Sequence, residues 1–269
     1  MMRSLWTAAT GMIAQQTNLD NISNNLANVN TTGFKRTTVE FKSLIYQTIQ
    51  AKSTDSTGQP KPVGVQVGLG VRPGAITSSF VQGLLFESTG PFDCAIQGNG
   101  FFMAQLPDGS IGYTRNGRFN FSITENGMAL TDSSGNPILS TTGEPIIIPQ
   151  NFETEEIEMD QFGNLMYPDQ NNNAQLIGYQ IGLATFPNPA GLEKGGNSLL
   201  AESPASGVPT VSDAAGINSL IKSNYLEGSN VQAVDEMVNM IIAQRAYEMN
   251  SKAITASDQM LQQANNLRG

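Results

Sequence analysis

Apolar positions recur every seven residues over 5–29: Leu5, Met12, Leu19 and Leu26 fall in one register, and Ala8, Gln15, Ile22 and Val29 fall three residues later. Two such rows form the seam of a long amphipathic helix. Gly33 stands where a left-handed residue would close that helix, with Val29 and Phe34 as the contact pair of a Schellman ending. The stretch SNNLANVNTTGFK, Ser23 to Lys35, is therefore read in part as a stop signal.

A second helix is expected at the other end. Ser229 followed by Gln232 has the form of a capping box, and Asp235 and Glu236 sit where the positive end of a helix dipole favours them. Ala246, Ala253, Met260 and Leu267 make one row, and Ile242, Met249 and Ala256 make another. Met240, Tyr247, Ile254 and Leu261 flank them. The result is a broad apolar stripe, with Glu248 and Lys252 as an i,i+4 pair on the other side.

Between the ends the period changes to two. Turn signals at 107–109, Asn116-Gly117, Asn126-Gly127, Ser134-Gly135 and Gly143 predict an antiparallel meander. Phe119, Phe121 and Ile123 alternate with Arg118, Asn120 and Ser122, as in a strand with one buried and one wet face. Ahead of this region Val63, Val65, Val67, Leu69 and Val71 alternate with small or polar residues, chiefly glycine, so the second face is nearly bare. Such a strand is either an edge of the chain's own sheet or a place where another backbone lies close. The stretches 51–62 and 201–216, rich in Ser, Thr, Gly and Pro, read as connectors.

The predicted architecture is α+β. Long N- and C-terminal helices form a coiled-coil layer, with an inserted, mainly antiparallel β domain and extended connecting arms. The expected segments are an N-terminal helix over 1–35, an arm and linker over 36–73, a β domain over 74–200, a return linker over 201–223 and a C-terminal helix over 224–269.

Charge sharpens this picture. From Ser4 to Thr32 the only charged residue is Asp20, and the polar face of the first helix is built from Gln15, Gln16, Asn18, Asn21, Asn24, Asn25 and Asn28. Asparagine is a poor helix former, yet neutral amides cost far less to bury than charges and can satisfy one another reciprocally. The helix is suited to being surrounded by other helices; the alternative is an intramolecular hairpin whose Asn face meets solvent. Sticky ends around an independent β domain suit an open helical assembly with repeating heterologous contacts. The expected subunit-interface positions on the first helix and its ending are Leu5, Met12, Leu19, Ile22, Asn24, Asn25, Leu26, Asn28, Val29, Gly33 and Phe34. On the second they are Val238, Ile242, Arg245, Tyr247, Met249, Ile254, Met260 and Leu261.

Composition excludes much else. The 269 residues carry 23 acidic and 14 basic side chains, a net charge of −9, which opposes binding to a phosphate backbone. No histidine is present, so His-based nucleophile activation and His-ligated metals are ruled out. Cys94, the one cysteine, reads as a buried small hydrophobe. No stretch approaches the ~20 apolar residues of a membrane span, and Ser4, Thr7, Thr10 and Gln15 interrupt any secretory leader. Neither the 64–70 nor the 98–100 glycines fit a nucleotide-binding pattern, and no cofactor is expected. Catalytic carboxylates are conceivable among Glu153, Glu155, Glu156, Glu158 and Asp160, but neighbouring acids usually form a solvated edge.

SNNLANVNTTGFK resembles the signature of the bacterial flagellar rod and hook (axial) proteins, and VDEMVNMIIAQRAYEMNSKAITASDQML is similar to that family's other end. GLGVRPGAI, AIQGNGFFMAQLPDG, YTRNGRF and GINSLIKSNYLEGSNV extend the likeness to nearly the whole chain. The resemblance implies a structural, non-enzymatic subunit of the periplasmic drive shaft, exported through the flagellar type III apparatus without a cleaved signal peptide. It implies terminal helices lining an export channel, a β domain outside them, and an extended segment over about 47–70 that stiffens the tube. The implied partners are further copies of the chain, proximal rod and hook proteins, the P- and L-ring proteins and the export apparatus. The nearest competing reading is a hook or proximal rod subunit of the same family; a trimeric adhesin stalk is a further non-enzymatic one, which solution mass separates from the shaft.

Overall fold

The computed structural model describes residues 2–50, 64–124, 127–149, 152–153, 156–168 and 174–266. The expected connector 51–62, Val63, Asn126, Glu155 and Leu267 lie outside them. The chain divides into two units, one of residues 1–27, 37–78 and 232–269 and one of 28–36 and 79–231. Every strand pairing among the described residues is antiparallel. No described helix is long and apolar enough to cross a membrane.

The first unit holds two helices and a β ribbon. Helix α1 spans Met2–Ala27 and α2 spans Ala233–Asn266. Strand β1 (Thr37–Ser43) pairs with β4 (Val71–Ser78), and β2 (Tyr46–Gln50) pairs with β3 (Val65–Gly68). The glycine-alternating strand thus finds its partner within the chain. Its bare face is used at two places. The Tyr46 ring lies 3.3 Å from where a Gly68 Cβ would stand, and Gly70, at φ +116°, lets the ribbon meet Thr10 of α1. A Cβ at Gly70 would fall 2.1 Å from the Thr10 hydroxyl.

Both helix-end expectations need correction. Helix α1 stops at Ala27, and Gly33, although left-handed at φ +71°, closes no Schellman motif. Its N–H donates to the Glu227 carbonyl at 2.8 Å, and Phe34 N–H donates to Thr31. Helix α2 begins at Ala233, so Gln232 precedes it, and the Ser229 hydroxyl accepts from Val231 instead of closing a capping box. Glu248 pairs with Arg245 at 3.1 Å, both exposed, in place of the expected Lys252.

The second unit is built on a six-stranded sheet in the order Glu193–Lys194, Leu200–Ala201, Ile111–Thr114, Phe101–Gln105, Leu183–Thr185, Thr210–Ser212. Its central strand is apolar on both faces. Phe102 and Ala104 join a core with Phe119, Leu130, Ile138, Ile146 and Leu165, while Phe101 and Met103 join a second cluster with Tyr113, Leu139 and Phe186. Phe102 meets Phe119 edge to face, with ring centroids 5.0 Å apart.

Three strand expectations also change. Asn116-Gly117 turns no hairpin: the chain passes from the six-stranded sheet to a separate sheet containing Asn120–Thr124, crossing so close to Cys94 that a Gly117 Cβ would fall 1.6 Å from the Cys94 carbonyl oxygen. Ile123 is exposed at 81%, so the buried face narrows to Phe119 and Phe121. The return linker expected over 201–223 is not merely a connector, because Thr210–Ser212 extends the main sheet and Leu220–Ser223 pairs with Cys94–Gln97.

Candidate subunit interface

Helices α1 and α2 pair antiparallel: Ser4 meets Ser257 (Oγ to Oγ 3.4 Å), Gly11 packs on Asn250, and Asn25 reaches Glu236 (3.4 Å). The α2 residues in these contacts are seven apart, Glu236, Ala243, Asn250 and Ser257, with Ala243 buried as well. On α1 the buried apolar positions are Ala8, Ala14 and Ile22. Small residues let the two backbones approach; a Cβ at Gly11 would lie 2.9 Å from the Asn250 amide.

Because small and polar residues fill the seam, the large ones face away. Along α2, Val234, Met237, Val238, Ile241, Ile242, Arg245 and Met249 follow i, i+3, i+4, i+7 spacing, and all are exposed, Ile242 at 61% and Met249 at 65%. On α1, Trp6 (68%) and Ile13 (60%) stand out in the same way, one heptad apart. The ribbon adds exposed Phe41, Ile45, Tyr46, Ile49 and Ile76. Contiguous apolar surface of this kind marks an interaction face.

The expected interface residues divide accordingly. Val238, Ile242, Arg245, Tyr247, Met249 and Met260 are exposed on α2, and Ile254 and Leu261 are half-buried. Leu5, Met12, Leu19 and Leu26 are half-buried on α1, Ile22 is buried and Asn24 is exposed. Asn28, Val29, Gly33 and Phe34, half-buried, belong to the second unit. Trp6, Ile13, Val234, Met237 and Ile241 were not among the expected positions, although the heptad from Trp6 to Ile13 and the 234–238–241 spacing carry the signal.

The buried asparagines have an intramolecular task. Asn25 is fully buried; its amide donates to the Thr37 carbonyl at 2.8 Å, and its oxygen accepts from the Thr37 N–H and hydroxyl, both at 3.0 Å. Asn21 donates to the same carbonyl at 2.8 Å and accepts from the same hydroxyl at 2.6 Å. Two helical amides one turn apart thus satisfy every polar atom at the start of β1, which a charged side chain could not do without a desolvation penalty. Neutrality here serves the chain's own fold.

The second half of the motif docks elsewhere. Lys35 Nζ donates to Glu227 Oε1 at 2.6 Å and to the Val81 carbonyl at 3.0 Å, while Arg115 donates to Glu227 Oε2 at 3.1 Å and to the Gly98 carbonyl at 2.8 Å. Gly83 N–H also donates to Glu227 Oε1, at 2.8 Å. All three charged side chains are buried. Burial lowers both cations from their ordinary pKa values, opposed in each case by the attraction of Glu227.

The described acids of 153–160 lie on a turn and the short strand Glu158–Met159, where Glu156 takes the Tyr167 hydroxyl and raises its pKa. Among the described residues no three His, Cys, Asp or Glu side chains are placed to hold a metal ion. Burial pushes the Cys94 thiol well above its ordinary value.

Three family models match: "Flagella basal body rod protein" over residues 5–35, "Flagellar hook protein FlgE/F/G D1 domain" over 95–167, and "Flagellar basal body rod FlgEFG protein C-terminal" over 222–267. The chain is 44% identical to the flagellar basal-body rod protein FlgG of Buchnera aphidicola, over 99% of this chain and 100% of that one. To the FlgG of Borreliella burgdorferi it is 42% identical, over 100% and 99%. To that of Caulobacter vibrioides it is 44% identical, over 99% and 100%. With likeness to these proteins over its whole length and matching models at both ends and in the middle, the chain belongs to the FlgG family of flagellar basal-body rod proteins, structural subunits of the rod and not enzymes.

Proposed function

We propose that the chain is the repeating subunit of the distal rod, stacking on the proximal rod in the periplasm as a helical tube that transmits motor torque and encloses the export channel. Its terminal helices form the inner coiled-coil wall, made continuous by contacts between copies, and the β unit forms an outer sleeve. The tube meets proximal rod and hook proteins at its ends and the P- and L-ring proteins around it. Each subunit leaves the cytoplasm through the type III export apparatus. The segment over about 47–70 is the arm that stiffens the tube.

The observation that supports this reading best is the exposed Val234–Met249 stripe, backed by a seam of Ala, Gly, Ser and Asn. A helix that exposes Val234, Met237, Val238, Ile241, Ile242 and Met249 along one stripe needs further partners, and copies of itself supply them through heterologous contacts that do not close. The test is self-association of the purified full chain, followed by light scattering and by imaging. Long straight particles above a threshold concentration support the reading. A fixed trimer, or a monomer at every concentration, contradicts it.

A further inference from the structure

Among the described residues, Glu227 is the carboxylate ion-paired to both of two buried cations, Lys35 and Arg115. With Lys35 and Arg115 both charged, the cluster holds one positive charge more than Glu227 neutralises, and the Arg115 Nε–H has no hydrogen-bond partner. For Arg115 the arrangement is favourable: it makes a one-to-one pair with Glu227, bonds the Gly98 carbonyl, and lies 5.4 Å from the Phe101 ring. Lys35 is the surplus cation. Burial depresses its pKa despite the nearby carboxylate, so the folded state holds this charge at a cost.

That cost is met at a particular place. Lys35 ends the segment 28–36, which follows α1, and Glu227 lies in the strand Tyr225–Glu227, shortly before α2. The segment is fastened to the second unit at several points: Gly33 N–H to the Glu227 carbonyl, Thr32 hydroxyl to Asn116 at 2.8 Å, and Arg36 N–H to Asn230 at 2.7 Å. Gly33 fits because a side chain there would strike the Arg115–Asn116 peptide at 2.6 Å. Lys35 is a buried charged anchor of this segment.

We propose that Lys35 is a positioning residue for assembly: by binding Glu227 it fixes the segment 28–36 within the second unit, giving up folding stability for one defined conformation of this segment in every copy that joins the rod. Buried ion pairs often add little net stability compared with apolar replacements, whereas breaking one by removing the shared partner is costly. The proposal therefore predicts an asymmetry between the two ends of one ion pair. It rests on the rod-subunit reading for its assembly readout, but not for its hydrogen-exchange readout.

Lys35→Met and Glu227→Gln, each in the full chain, are compared with the parent by urea unfolding of the β unit, by amide exchange at Gly33 and by threshold concentration for rod growth. Lys35→Met is expected to leave the unfolding midpoint unchanged or raised, to speed Gly33 exchange about tenfold or more, and to raise the assembly threshold by a similar factor. Glu227→Gln, which leaves two cations without a counter-charge, is expected to lower the midpoint as well. Two results overturn the proposal: a Lys35→Met midpoint that falls as far as that of Glu227→Gln, which makes Lys35 an ordinary stabilising residue, or parental Gly33 exchange and threshold, which means that it positions nothing. If the parent chain itself forms no rods, the rod reading fails, and the exchange and unfolding comparison still decides the role of Lys35.

Discussion

The asparagines of SNNLANVN are settled by what Thr37 needs. Asn21 and Asn25 meet the carbonyl, N–H and hydroxyl of the first ribbon residue in a site where Asn25 is fully buried. Asn25→Ala would leave buried Thr37 groups short of partners and is expected to cost about 2–3 kcal/mol in urea unfolding. Gln16→Ala, on the exposed face of the same helix, is expected to stay within about 0.5 kcal/mol. Cys94 gives a second test. Its buried thiol, with a raised pKa, is expected to ignore a thiol-specific reagent at pH 8 in the native protein and to react fully in denaturant. Lys35 adds a pH signature. Its folded pKa lies below the ordinary 10.5, so the unfolded chain holds the proton longer, and the contribution of Lys35 to stability rises as pH climbs from the lowered value toward 10.5. Relative to Lys35→Met, the parent is expected to gain stability as pH rises through that interval and to hold level below it. A parent that loses stability relative to Lys35→Met with rising pH would contradict the sign.

At the scale of elements, the heptads foretell two terminal helices but not which row turns inward. From sequence, Leu5, Met12, Ile242 and Met249 look like a seam because they are large and apolar; in the fold Ser4, Gly11 and Asn25 meet Ser257, Asn250 and Glu236, and small Ala8, Ala14 and Ala243 are buried. Hydrophobicity marks what must be buried somewhere, and close backbone approach decides what is buried first. A side chain on each face tests this. Ala243→Leu is expected to wedge the helices apart and destabilise the first unit by about 1–3 kcal/mol, read as faster amide exchange along α1. Ile242→Ser, on the stripe, is expected to leave that exchange unchanged while raising the assembly threshold about tenfold. The Ser-, Pro- and Gly-rich 201–216 stretch was illegible for another reason. Its strand Thr210–Ser212 is only three residues long and held by one neighbour, so no periodicity develops.

At the scale of the whole molecule, the family was legible because both ends and the middle carry extended motifs, and whole-length identity above 40% to FlgG proteins agrees. What sequence could not reveal are contacts between distant segments. Glu227 gathers Lys35, Gly83 and Arg115 from three parts of the chain, and no local pattern announces a carboxylate with such partners. The boundary inside SNNLANVNTTGFK follows from the same limit. Its first half completes a helix in one unit, and its second half docks in the other.

The central claim is that the outward apolar faces of α1 and α2 become interior only between copies. Electron cryo-microscopy of rods grown from the full chain tests it most directly, at a resolution that shows side chains. The account predicts Trp6, Ile13, Ile242 and Met249 packed against helices of neighbouring subunits around a hollow axis. Rods in which these four residues face solvent, with the subunits joined through the β units alone, would contradict it.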